Sequence, residues 1–397
     1  MTILYISYDG MLEPLGQSQV LAYLKKLSVD RQICLISFEK ASDWAKEAER
    51  VRIANEINKF GIIWWPLRYH KRPSSLATFW DIACGFSIGL YLVYRHRIGI
   101  VHARSYVASV IALALKKITG VMFVFDMRGF WADERVDGNL WLSDSYMYRI
   151  AKILEKHFLL SADHVVSLTH AAVIVMRRFP YLQKAMPPVT VIPTCADLAR
   201  FKPLPHEEKR HSFVLGYVGT VGTWYLFEEV AACFAKLLNY LPDARFLIVN
   251  RGEHEYIIEC LANAGIPETV VELISSTHAD VPRLMARMDA GIFFIKPVFS
   301  KQASAPTKLA EFLGCGIPCL CNAGIGDMGE LLEGEQVGVA LTTFDETTMF
   351  AGLMQLLALA SDPEIRTRCV AAAEKHFSLD EGVRRYASVY EQLELHA

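Results

Sequence analysis

An excess of charge of one sign is the first thing this sequence lacks. The 41 lysines and arginines stand against 43 aspartates and glutamates, a formal net charge of −2. Nucleic acid, which selects for a basic excess, is therefore not an expected partner. Cysteine chemistry is thinly provided too. Nine cysteines are an odd number with no repeated short spacing. The nearest group, Cys315, Cys319 and Cys321, lies in an apolar run without a zinc-knuckle pair, so the thiols read as reduced and mostly buried. The three-glycine dinucleotide fingerprint is missing, which leaves a nicotinamide or flavin enzyme unsupported. The opening MTILYISYDG has no basic leader or small-residue cleavage site. It reads as a first strand rather than a signal peptide, pointing to a cytoplasmic protein.

What is present is a regular alternation. Short apolar runs separate longer helical patterns, the signature of parallel sheets with crossover helices. Strands are expected at Ile3–Ser7, Ile33–Ser37, Ile62–Pro66, Ile100–Ala103, Phe123–Asp126, His164–Ser167 and Val189–Ile192. After Pro193 the pattern breaks, and PLPHEEKRHS, residues 203–212, reads as a linker. The same grammar restarts with Val214–Val218, Arg245–Asn250, Val270–Leu273, Gly291–Ile295, Pro318–Cys321 and Val337–Leu341. The expected fold class is α/β: two Rossmann-like, doubly wound parallel-sheet domains, 1–202 and 213–378, followed by a helix over 379–397. That closing helix either completes the second domain or returns to the first. Ligands belong at the carboxyl ends of such sheets, in a cleft.

One stretch has the length of a membrane span. Leu76–Tyr94 is apolar and flanked by His70-Lys71-Arg72 and Arg95-His96-Arg97, but Asp81, two glycines and Ser87 lie inside it. It reads as a helix buried against a sheet. Shallow contact with a membrane surface is compatible with the basic flanks.

Polar clusters at expected strand ends mark the candidate site. After β-strand one, Asp9-Gly10 opens a loop containing Glu13, Gly16 and Gln17 before a helix. Glycines there let backbone amides approach an anion, although an ordinary β–α turn looks the same. His102 and Arg104 end another strand; Asp126, Arg128 and Asp133-Glu134 leave a third. Each mixes charge with groups able to bond hydroxyls, or forms a structural ion pair. The most informative stretch is KPVFSKQASAPTKLAEFLGCGIP, residues 296–318. Ser304 is placed to cap a helix starting near Pro306. Free amides at the helix start, around Ala305 and Thr307, with Lys301 and Lys308 close by, make a diphosphate site, and Glu311 suits vicinal ribose hydroxyls.

Taken together these motifs resemble the retaining glycosyltransferases of GT-B fold, glycosyltransferase family four. The resemblance runs from ILYISYDGMLEPLGQSQV through VIPTCADLARFKP and LGYVGTVGTWY to ASAPTKLAEFLGCGIP. It implies a hexosyl or related transferase that moves sugar from a nucleotide-sugar donor to a glycan or lipid-linked glycan, with retention, in polysaccharide or glycolipid synthesis. The family's motif has two glutamates separated by seven residues. The second, a ribose ligand, matches Glu311; the first matches Ala303, a departure. Ser304, Pro306 and Lys308 fit a serine-x-proline-x-lysine variant of that loop. The family's Arg and Lys after the second domain's first strand are also missing, since Gly219-Thr220-Val221-Gly222-Thr223-Trp224 stands there. Arg251, Lys301 and Lys308 are then the candidates to offset the leaving diphosphate, helped by amides after Gly219 and Gly222. Where relatives have a catalytic-site histidine this chain has Asp126-Met127-Arg128. Asp126 and Arg128 are assigned to catalysis or sugar positioning, and Asp9, Glu13, Gln17, His102 and Arg104 to acceptor or sugar positioning. The Gly324–Asp327 loop borders the donor. No Asp-x-Asp pair occurs, so neither metal nor cofactor is expected. Two readings compete: a nucleotide-sugar epimerase of the same architecture, and a catalytically weakened sugar-nucleotide-binding subunit.

Overall fold

The computed structural model describes residues 1–72, 74–204, 212–277 and 280–395. The chain divides into two compact units, one made of Met1–Pro193 with the C-terminal helix Leu379–Leu395, the other of Thr194–Ser378. The division falls at Pro193 rather than near 202 because Ala196 and Phe201 are buried in the second unit's core. The expected linker falls largely on residues 205–211, outside the described residues.

In the first unit, β1 (Thr2–Ser7), β2 (Ile33–Glu39), β3 (Ile63–Arg68), β4 (Ile98–Arg104), β5 (Met122–Asp126), β6 (His164–Ser167) and β7 (Val189–Val191) form one sheet in the order β3-β2-β1-β4-β5-β6-β7. All neighbouring pairs are parallel. The central strands are buried on both faces, which is why ILYIS, ICLISF and FVF are unbroken apolar runs rather than alternating ones. Strand order reverses between β1 and β4, the point at which an open α/β sheet offers its carboxyl ends to a ligand. Right-handed crossovers put the helices Ala22–Leu27 and Glu47–Lys59 on one face. The helices Ser74–His96, Ser105–Thr119 and Tyr146–Ser161 lie on the other. Leu379–Leu395 packs against Ala22–Leu27.

Helix Ser74–His96 is not the buried element its composition suggests. Only 33% of its most apolar window lies inside, although its length and composition would suffice to cross a membrane. The inward edge is Ala77, Asp81, Gly85, Gly89 and Leu92, with the two glycines set against Ile111 and Leu115 of the next helix. Asp81, the single acid in the run, is buried and fixes the helix to the sheet side. Its carboxylate accepts from Tyr8 Oη (2.8 Å) and from the His70 backbone amide (3.1 Å), and lies 2.6 Å from His70 Nδ1.

The second unit repeats the plan. Strands β8 (Val214–Val218), β9 (Arg245–Val249), β10 (Val271–Ile274), β11 (Ala290–Ile292), β12 (Cys319–Asn322) and β13 (Gly338–Leu341) pair in parallel in the order β10-β9-β8-β11-β12-β13. The reversal here lies between β8 and β11. β11 stops at Ile292 instead of Ile295 because a side chain replaces the ladder: Asn322 Oδ1 accepts from Ile295 N (2.8 Å) and its Nδ2 donates to Ile295 O (2.9 Å). Stacked Phe234 and Phe246, with Phe227 and Tyr217 beside them, fill the core below β8 and β9.

Candidate functional site

The carboxyl ends of β8, β11 and β12 carry most of the groups expected to hold a donor. Gly219 leaves β8 at φ 108°, and a Cβ there would sit 2.6 Å from Lys308 Cε. Glycine is thus required twice, for its backbone angle and for the close approach of the lysine. The following loop is held by a partly buried hydrogen-bond bracket. Glu253, just past β9, accepts from the amides of Val221 (3.0 Å) and Gly222 (3.1 Å), while Asn250 Nδ2 donates to Gly219 O (3.0 Å) and to Glu253 (3.0 Å). The Gly222 amide is therefore committed to the protein's own carboxylate. Thr220 and Thr223 lie on either side of that bracket, Thr223 at φ 54°, an uncommon angle for a branched side chain.

Helix Thr307–Gly314 supplies the charged pair. Pro306 occupies the N-cap position and no side chain caps the helix. Ser304 instead ends a preceding turn by donating its amide to Lys301 O (3.1 Å), which corrects the capping role expected for it. Ala305 and Thr307 are half-buried beside it. Lys308 Nζ rests 3.5 Å from the centroid of Tyr225 and 4.7 Å from that of Tyr217, with Thr220 O at 3.4 Å. Burial pulls this ammonium down to about 7, against the opposing pull of Glu311 and Glu253. Burial likewise pushes the Glu311 carboxyl up to about 7, opposed by Lys308 and Arg200. The site thus holds a cation and a carboxylate, three residues apart on one helix, both poised near neutrality.

The other expected cations are placed differently. Lys301 is buried, with Nζ 3.7 Å over the Trp224 ring, and its carbonyl accepts from Gly326 N (2.9 Å), tying it to the Gly324–Asp327 loop. Arg251 is exposed after β9 and donates from Nε to Ser276 O (3.1 Å). Ala303 is buried in the turn before Ser304, so no acidic side chain stands where the related motif has its first glutamate. Among the described residues no three His, Cys, Asp or Glu side chains gather to hold a metal ion.

In the first unit the expected acceptor residues split into two sets. His102 and Asp126 have no exposed surface, which corrects the direct sugar contact expected of them. They form a buried network instead: Tyr386 Oη donates to Asp126 Oδ2 (2.9 Å), Tyr390 Oη lies 2.6 Å from His102 Nδ1, and His102 Nε2 lies 3.5 Å from Asp126 Oδ2. Burial alone would raise the Asp126 carboxyl; Arg128, His102 and Arg104 outweigh it and hold it below the usual carboxylate range. Burial keeps His102 below its ordinary value, against the opposing pull of Asp126. Arg128, 4.0 Å from Asp126, and Asp9, 3.3 Å from Arg104 Nε, form the rim of this cluster. Arg128 and Ser105 both adopt positive φ (56° and 68°) at the ends of β5 and β4, strain of the kind concentrated at functional sites. Asp133 is drawn away into a structural cluster with Tyr148 and Lys152.

The Gly10–Gly16 loop also departs from the anion-cradle expectation. The buried Glu39 carboxylate, at the end of β2, already accepts from the amides of Met11 (2.8 Å) and Leu12 (3.1 Å). Gly16 is needed for packing, since a Cβ there would meet Gly10 O at 1.9 Å. Glu13 pairs with Lys40, and Gln17 donates to Glu49 (3.3 Å). Glu39 at the end of β2 and Glu253 just past β9 do the same work in the two units, each bracing the first βα loop.

The fold is GT-B in type, two parallel α/β sheets shared with solved glycosyltransferases. Sucrose-phosphate synthase from Thermosynechococcus elongatus is similar over 100% of both chains with TM-score 0.73 at 13% identity. A glycosyltransferase from Rickettsia africae matches over 100% of this chain and 99% of that one, with TM-score 0.73 and 14% identity. Anabaena HepE in complex with UDP-glucose matches over 99% of this chain and 100% of that one, with TM-score 0.65 and 18% identity. No family model matches the sequence, and no curated protein matches it either.

Proposed function

We propose that the protein is a cytoplasmic, retaining glycosyltransferase that takes a sugar from a nucleoside-diphosphate donor bound by the second unit. The acceptor is a hydroxyl of a glycan or lipid-linked glycan addressed by the first, in polysaccharide or glycolipid synthesis. The observation carrying this reading is the Lys308–Glu311 pair at the carboxyl end of the second sheet, where a diphosphate and a ribose need a cation and a carboxylate. The neighbours' names support the class, and the UDP-glucose held by HepE supports the donor type.

In this mechanism the acceptor oxygen attacks the anomeric carbon from the face the diphosphate leaves. The C1–O bond to phosphate breaks as the new C1–O bond forms, and the acceptor proton passes to a leaving phosphate oxygen. No protein base is needed. Lys308 is the main counter-charge for the departing diphosphate, with Lys301 and Arg251 nearer its edge. Glu311 accepts from ribose hydroxyls. Ser304 and the amides of Ala305 and Thr307 address the phosphates and donor sugar. Arg128 and Asp9 position the acceptor, while Asp126, His102 and Arg104 act through them as positioning residues.

A thermal-shift panel of UDP-, GDP-, TDP- and ADP-sugars, with and without magnesium and repeated on Glu311→Ala, tests the reading. The expected result is a metal-independent rise for one nucleotide class that the variant loses. Silence from the whole panel overturns it. A second reading, a binding subunit without transfer activity, is favoured by Ala303 and by the commitment of the Gly222 amide to Glu253. Transfer to any acceptor eliminates it.

A further inference from the structure

The geometry points to a membrane-docking face on the first unit: the three helices on one side of its sheet form a basic, aromatic surface for an anionic lipid bilayer. This inference does not depend on which donor the second unit takes. Its core is the outward stripe of helix Ser74–His96, where Leu76 is 70% exposed, Phe79 70%, Trp80 59%, Tyr91 51% and Tyr94 68%. These positions recur at helical spacing and span about five turns, or roughly 27 Å. No charged side chain interrupts them, because the one acid of the run, Asp81, is turned inward and bonded. Isolated exposed apolar residues need no explanation, but two groups of them aligned on one helix face, joined by the exposed Ser87 and the half-buried Ala83 and Leu90, do.

The charges around the stripe identify its partner. Lys71 and Arg72 precede it and Arg95 and Arg97 follow it, all exposed. The neighbouring helix Ser105–Thr119 ends with Lys116, Lys117 and the exposed Ile118. Beyond it, Tyr146–Ser161 turns out Tyr146, Ile150, Ile153 and Leu160 together with Arg149, Lys156 and His157. Across these three helices the only acids are Asp81 and Glu155, and both are buried. In a chain whose formal net charge is −2, these three helices expose no acid of their own, although Lys116 is paired at the edge with Asp163 (2.5 Å), and they leave lysine, arginine and aromatic side chains outward. Aromatic rings suit the headgroup boundary, and lysine and arginine extend toward anionic headgroups from just outside an apolar stripe. A second protein would be expected to bring acids of its own or to bury a neutral seam. The inward glycine edge and the Asp81 anchor keep the helix against the sheet, so it lies on the bilayer rather than crossing it.

Sedimentation of the full-length protein with phosphatidylglycerol–phosphatidylcholine vesicles, and with phosphatidylcholine vesicles alone, tests this. Binding is expected to the anionic vesicles and to fall with added salt. Phe79→Ser/Trp80→Ser should weaken it at least tenfold. The triple exchange Arg72→Gln/Arg95→Gln/Arg97→Gln should weaken it about a hundredfold, at roughly fivefold per charge near the surface. Both sets lie outside the donor residues, so thermal shifts with nucleotide sugars should persist. Should a variant misfold, the wild type still decides: brominated anionic lipid should quench its tryptophan emission, and Trp80→Phe should diminish that quenching. Failure of the wild type to bind anionic vesicles overturns the inference. So does a concentration-dependent dimer that Phe79→Ser/Trp80→Ser abolishes while vesicle binding stays unchanged.

Discussion

The affinity for the nucleotide sugar should pass through a maximum near pH 7 and fall on both sides. Burial brings Lys308 down and Glu311 up to about 7, and donor binding as proposed needs the first charged and the second ionised. In the proposed donor site a bound diphosphate would pin Lys308 in its protonated form, and ribose hydroxyls would pin Glu311 as a carboxylate. Treating the two as independent, the competent fraction is about one quarter at pH 7 and about one twelfth at pH 8 or 6. The dissociation constant should therefore rise about threefold one unit either side of neutrality, approaching tenfold per unit beyond. The sign of proton exchange inverts across the maximum. Binding takes up about 0.8 proton at pH 8, as Lys308 is recharged, and releases about 0.8 at pH 6, as Glu311 ionises. The phosphates of a nucleotide sugar stay ionised throughout and contribute nothing. Titration calorimetry in buffers of different ionisation enthalpy reads this directly, using the nucleotide sugar that gives the largest thermal shift. Glu311→Gln should flatten only the acid limb and Lys308→Met only the alkaline one. Proton exchange of one sign at both pH values, or a profile that neither variant alters, would refute the reasoning.

Four further outcomes follow from the same contacts. Without ligand, Lys308→Met should raise the melting temperature more at pH 6 than at pH 9. A lysine depressed to about 7 in the fold penalises folding below that pH, and the penalty fades as pH rises toward 10.5. Gly219→Ala should cost at least tenfold in donor affinity, measured by the same calorimetry, since the new Cβ displaces the Lys308 stem. Tyr386→Phe should lower the urea midpoint by an amount corresponding to about 1–3 kcal/mol, the cost of leaving the buried Asp126 oxygen without its donor. Glu39→Gln should loosen the Gly10–Gly16 loop, visible as faster amide exchange at Met11 and Leu12.

The strands were legible because both faces of these sheets are covered, which leaves each strand an unbroken apolar run such as ILYIS or FVF. The placement of Lys308 and Glu311 on one helix was legible because a single short helix fixes their spacing. What stayed hidden depends on partners far along the chain. Nothing local in Asp126-Met127-Arg128 announces that Tyr386 will close over the aspartate. Glu39 and Glu253 read as ordinary acids, yet each is turned inward onto backbone amides of a loop about 30 residues away. The same blindness affected Leu76–Tyr94. Composition reported how apolar the helix is, whereas which edge meets the sheet is set by Asp81 finding Tyr8 and His70.

The C-terminal helix has a further consequence for how the molecule is made. Leu379–Leu395 belongs to the first unit, whose other residues end at Pro193, so the whole second unit is an insertion within the first. The insertion is closed at its base, where Ala196 N donates to Phe377 O (3.0 Å). During synthesis the first sheet emerges early but lacks Tyr386 and Tyr390, which cover His102 and Asp126. The second unit is synthesised later, yet all of its residues precede Leu379. The unit begun first is finished last, and a chain ending just short of Leu379 would hold the whole second unit while leaving His102 and Asp126 without Tyr386 and Tyr390.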